Sequence, residues 1–85
     1  MKFGEWYTEK YSGRKQEFHQ LLHVGDDNIS VNEWVRDKKT GNFSRVQEHV
    51  SIDRRFYQSR IDAEELIPVA DEERETLEEL VKRAT

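Results

Sequence analysis

Only 20 of the 85 residues are Leu, Ile, Val or Phe, while 38% are charged. This shortage of core-forming side chains constrains the fold more than any other feature of the chain. A share just under a quarter lies a little above the range in which charged chains stay disordered. It points to one small domain over residues 1–85 with a thin core. A domain of this size hides only about 60% of its unfolded surface, so association is expected to complete the burial, and a homo-oligomer is anticipated.

The absence of cysteine removes disulfides, thiolate nucleophiles and every Cys-containing metal site. No apolar run approaches the length of a membrane span, and MKFGEWYTEK is too charged for a secretory leader, so the expected setting is cytoplasmic, with no membrane partner.

The net charge of −4 conceals two unlike segments. Residues 1–61 hold 11 Lys and Arg against 9 Asp and Glu; residues 62–85 hold 3 against 9. In the acidic segment Asp71 reads as a helix N-cap, with Glu72, Glu73 and Glu75 at the positive end of the helix dipole. Leu77, Leu80, Val81 and Ala84 repeat at helical spacing, and Glu78–Lys82 and Glu79–Arg83 are favourable pairs. The spacing predicts a helix over 71–83. Residues 62–70 read as a connection, with one short helical turn at 63–67 ended by Pro68.

The earlier part, residues 1–61, reads mainly as strands near 3–11, 15–24, 29–37 and 43–57. DKKTGN at 37–42 is a hairpin connection in which Gly41 takes a positive φ, and further turns fall at Ser12–Gly13 and around Gly25–Asn28. Helical alternatives exist for 3–24 and for a segment capped by Asp53. The expected fold class is α+β: a small antiparallel sheet of about four strands with the C-terminal helix packed on one face.

Alternation sorts these strands into two faces. One takes Phe3, Tyr7, Tyr11, Phe18, Leu22, Val24, Ile29, Val31, Val35, Val46, Val50, Ile52 and Phe56, and is the expected core face. The other takes Trp6, Leu21, Trp34, Phe43 and Tyr57 with His19, His23 and His49. It also carries Lys10, Lys15, Arg36, Lys38, Arg45 and Arg55 against Glu17 and Asp53. Rings that stack on bases, interleaved with cations for phosphates, are what single-stranded nucleic-acid platforms use. The expected function is therefore a non-enzymatic nucleic-acid-binding module preferring single strands, with Trp6, Trp34 and Tyr57 stacking and Arg36, Lys38, Arg45 and Arg55 contacting phosphate. The alternative is a protein–protein interaction module, an inhibitor or adaptor, using the same aromatic face or the acidic helix.

Catalytic chemistry is not expected. No serine lies in a GxSxG turn, no phosphate-binding glycine motif occurs, and the acidic pairs lie in a solvated run. Neither a cofactor nor a small-molecule substrate is expected. His19 and His23 are four residues apart, but nothing in the sequence fixes a third ligand from His49, Glu17 or Asp26, so no metal is expected.

The stretch ISVNEWVRDKKTGNFSRVQEHVSID at 29–53 loosely resembles the small single-stranded-DNA-binding transcriptional coactivator domains. Glu33–Trp34, Gly41, Arg45 and Val50–Ser51–Ile52 fall in that family's order of elements. The glycine-flanked basic pair that precedes the family's last strand is missing. The resemblance implies a helix beginning near Asp53 and a dimer with a sheet groove for unpaired DNA.

Overall fold

The computed structural model of the protein describes residues 1–84. Strands β1 (Trp6–Glu9), β2 (Lys15–Val24), β3 (Asn28–Asp37) and β4 (Phe43–Asp53) lead into helix α1 (Arg54–Asp62), a short strand β5 (Leu66–Pro68) and helix α2 (Asp71–Ala84). The strands form one antiparallel sheet in the order β4-β3-β2-β1-β5, giving the expected small α+β fold with a fifth strand and a second helix. No helix among the described residues is long and apolar enough to cross a membrane.

The turns follow from their residues. Gly41 takes φ +78° in the β3–β4 connection. Oδ1 of Asp37 accepts from the backbone N–H groups of Lys39 and Thr40, at 2.8 and 3.2 Å, fixing the turn at its start. The Arg14 guanidinium, paired with Asp37 at 3.0 Å, is the main reason that this carboxyl stays below its ordinary range. At the other end of β3, Arg54 clamps the β2–β3 turn by donating from Nη1 to the Gly25 carbonyl at 2.7 Å.

The chain does not continue as strand through residue 57, because Asp53 caps a helix. Its Oδ1 accepts from the backbone N–H of Phe56 at 2.9 Å. The helix ends in a Schellman arrangement, in which Glu65 N–H donates to Arg60 C=O and Glu64 N–H to Ile61 C=O. The left-handed position that this motif requires falls on Glu64, at φ +59°. The reversal turns residues 66–68 into an edge strand against β1 and corrects the helical turn expected at 63–67. In α2 the observed span matches the expected one to within a residue. Asp71 is its first helical residue rather than its cap, since Ala70 C=O already accepts from Arg74 N–H.

Both faces of the sheet are apolar, and each is covered by one helix. From α1, Tyr57 and Ile61 pack on Tyr7, Leu21, Ile29, Val31 and Leu66, joined by Val50 and Ile52. From α2, Leu77, Leu80 and Val81 pack on Trp6, Phe18, Trp34 and Phe43. The C-terminal helix therefore covers the face that was expected to be open and basic, not the face expected to be core. Bulges explain the misplaced residues. An irregularity between Leu21 and His23 inverts the alternation along β2, so Phe18 and Val24 face opposite sides despite sharing parity. Two shifts opposite Val31–Trp34 leave Val46 in β4 54% exposed. Phe3, Tyr11 and Phe56, expected in the core, are also exposed.

Two substitutions test this packing. Leu77→Ala removes a fully buried side chain that joins α2 to the indole layer and should cost about 2–5 kcal/mol in urea unfolding. Glu64→Gly should add about 1 kcal/mol, because a glycine relieves the left-handed strain at that position.

Candidate functional site

The residues expected to form a nucleic-acid surface do not form one. Trp6 and Trp34 are 2% and 1% exposed beneath α2, and Tyr57, 1% exposed, points from α1 into the opposite side of the sheet. None of the three offers a ring face to a base. Trp34 is stacked on Phe43 at 4.9 Å between centroids and donates from its indole N–H to Oε1 of Gln20 at 3.1 Å. The rings are buried because face two carries too much apolar area to leave in water, and Leu77, Leu80 and Val81 supply its cover.

The expected phosphate ligands are dispersed. Arg36 is paired with Glu73 of α2 at 2.8 Å and lies over the Phe18 ring. Arg45 is paired with Glu48 at 3.1 Å. Lys38, exposed at the hairpin, donates to the Ser12 carbonyl at 3.3 Å. Arg55 is exposed on α1, in a shallow groove with Asp26, Arg54, Gln58, Ser59 and Asp62. A continuous cationic stripe is absent among these residues, since the carboxylates of α2 lie against the face that was read as basic.

With both faces covered, the sheet meets solvent along its margins. One margin is β5, only three residues long. The other is β4, eleven residues long, with no strand outside it and residues 44–49 all exposed. The edge is kinked near its centre, where His49 adopts φ +54° and its N–H turns inward to Oδ1 of Asn32 at 3.0 Å.

A polar cluster was not visible in the sequence. His19 on β2 stands between Tyr7 on β1 and Glu33 on β3 in the strand register, and Tyr57 reaches it from α1. Nδ1 of His19 lies 2.8 Å from the Tyr57 hydroxyl, while Nε2 lies 4.0 Å from Oε1 of Glu17. Glu9 joins from β1, held by Arg60 at 3.1 Å, and Arg60 also reaches Glu65 at 3.6 Å. Burial pushes the His19 imidazolium down to about 4, so the ring is neutral at physiological pH and its contact with Glu17 is not an ion pair. Burial, followed by repulsion from Glu9 and Glu33, holds the Glu17 carboxyl above its ordinary range. Burial likewise raises the Tyr57 phenol, which stays protonated. Glu17, His19 and Glu33 each place a ligand atom within 4.8 Å of the other two. In the sequence Glu17 and His19 stand far from Glu33, and only the cross-strand register brings the three together.

This chain matches no protein-family model, no curated protein and no solved structure.

The buried histidine makes stability depend on pH. The folded protein keeps His19 neutral down to about 4, whereas an unperturbed imidazole protonates near 6.5. The unfolded chain thus binds more protons in this interval. The histidine's contribution is fully present above pH 6.5 and is lost as pH falls toward 4, an effect of about 3 kcal/mol. Glu17, shifted upward, acts in the opposite sense. Urea unfolding at pH 7 and pH 4.5 should show this slope, and His19→Gln should flatten it.

Proposed function

We propose that the protein is a non-enzymatic protein-interaction module that takes up an extended segment of a partner chain along the outer edge of β4. The supporting observation is the length and exposure of that edge. An unpaired strand margin offers backbone N–H and C=O groups to an added strand, which supplies affinity without a deep pocket. Val46 at 54% exposure gives the edge an apolar contact, and Arg45 and Glu48 beside it carry opposite charges. The bulges favour a short bound segment, because they prevent a flat ladder from running the whole length of the strand.

The nucleic-acid reading loses its stacking residues to the core and two of its cations to carboxylates. A fluorescent single-stranded 20-mer at low salt is therefore expected to bind no more than weakly.

Selection of a displayed random peptide library against the folded protein tests the proposal. Enriched peptides should perturb amide resonances of residues 43–53. Val46→Lys, at an exposed position, should weaken their binding at least about tenfold with the melting temperature unchanged, since a lysine at a strand edge blocks added strands. Perturbations confined to α2, failure to enrich any peptide, or salt-dependent binding of the 20-mer would each overturn it.

A further inference from the structure

We propose that Glu17, His19 and Glu33 form a binding site for a divalent cation of the zinc type, with Nε2 of His19 and one carboxylate oxygen from each glutamate as ligands. The site is independent of the β4 edge. His19 and Glu33 are register partners on neighbouring strands, and Glu17 stands two residues before His19, so β-strand periodicity sets all three on one face. Their ligand atoms lie within 4.8 Å of one another. Ligands at about 2.0–2.2 Å from a tetrahedral zinc are about 3.3–3.5 Å apart, so glutamate side-chain rotations of about 1 Å close the site.

The orientation of the histidine is the second, independent observation. His19 is 3% exposed, and its Nε2 lies 4.0 Å from Oε1 of Glu17, on the side of the ring away from Tyr57. Nδ1 is engaged by the Tyr57 hydroxyl. A metal-binding histidine ordinarily donates its other ring N–H to an oxygen, which fixes the tautomer and leaves the ligating nitrogen its lone pair. Tyr57 stands where that oxygen is required.

Electrostatics agrees. Glu9, Glu17 and Glu33 approach from three adjacent strands, and Arg60, the cation beside them, is engaged by Glu9 and Glu65. Arg60 only partly offsets the repulsion that Glu9 and Glu33 exert on Glu17, and a dication would relieve it. One imidazole nitrogen with two carboxylate oxygens suits zinc, whereas calcium and magnesium prefer all-oxygen shells. The groups facing the ring are Tyr7 and Glu9 from β1, Glu17 from its own strand, Glu33 from β3, and Tyr57 and Arg60 from α1.

Calorimetric titration of the chelator-treated full chain with zinc chloride tests the assignment, alongside the 15N resonances of the His19 ring. One zinc per chain is expected, with a shift centred on Nε2 and a raised melting temperature. Glu17→Gln and Glu33→Gln keep the side-chain shape at partly exposed positions and should each weaken binding at least about tenfold, with the fold intact by circular dichroism. Tyr57→Phe should weaken it about tenfold through the lost orientation of the ring. His23→Gln and His49→Gln should change nothing. Absence of binding, zinc affinity unaffected by both glutamate substitutions, or affinity lost in His23→Gln or His49→Gln would overturn the proposal.

Discussion

Trp6, Phe18 and Trp34 project from one face of the sheet, and Tyr7, Leu21 and Val31 from the other. Neither set can be left in water, because each large side chain contributes about 1.5–3 kcal/mol only when it is fully covered. A single helix covers one face. The chain therefore needs two helices, one on each side, and they lie at the ends of a connection that passes through β5. The thin core is thereby divided into two layers that share one sheet.

That division determines what remains for recognition. Arg36 is held against Glu73 because the acidic helix crosses the face that carries the arginine. Tyr57 is withdrawn from any surface role because α1 uses it as its buried anchor, with its ring edge-on to Tyr7 at 6.0 Å and its hydroxyl on His19. The polar cluster around His19 survives because α1, with only nine residues, buries the ring and leaves Glu17 and Glu33 partly open.

The parts of the fold legible in the sequence were those with a local cause. Gly41 and Asp37 identified the hairpin, and the Leu77–Leu80–Val81 stripe identified the last helix, because turn chemistry and helical periodicity act over a few residues. Asp53 left two readings open, since a cap and a strand-terminal carboxylate look alike without knowing whether Phe56 N–H needs an acceptor. The face assignment failed at Phe18 and Val46 because a bulge has no reliable residue signature, and a single extra residue inverts everything beyond it. The candidate site residues were lost for other reasons: Trp6, Trp34 and Arg36 lie under α2, and Arg55 and Tyr57 belong to the helix that Asp53 caps. The Glu17–His19–Glu33 group depends on which strands are neighbours, and only tertiary pairing supplies that.

The pairing of β1 with β5 joins Tyr7 to Pro68, across most of the chain, and α2 comes after both. During synthesis Trp6, Phe18 and Trp34 are all made before Leu77, Leu80 and Val81, the side chains that cover them. A fragment ending before Leu77 would therefore lack the side chains that cover both indoles and Phe18.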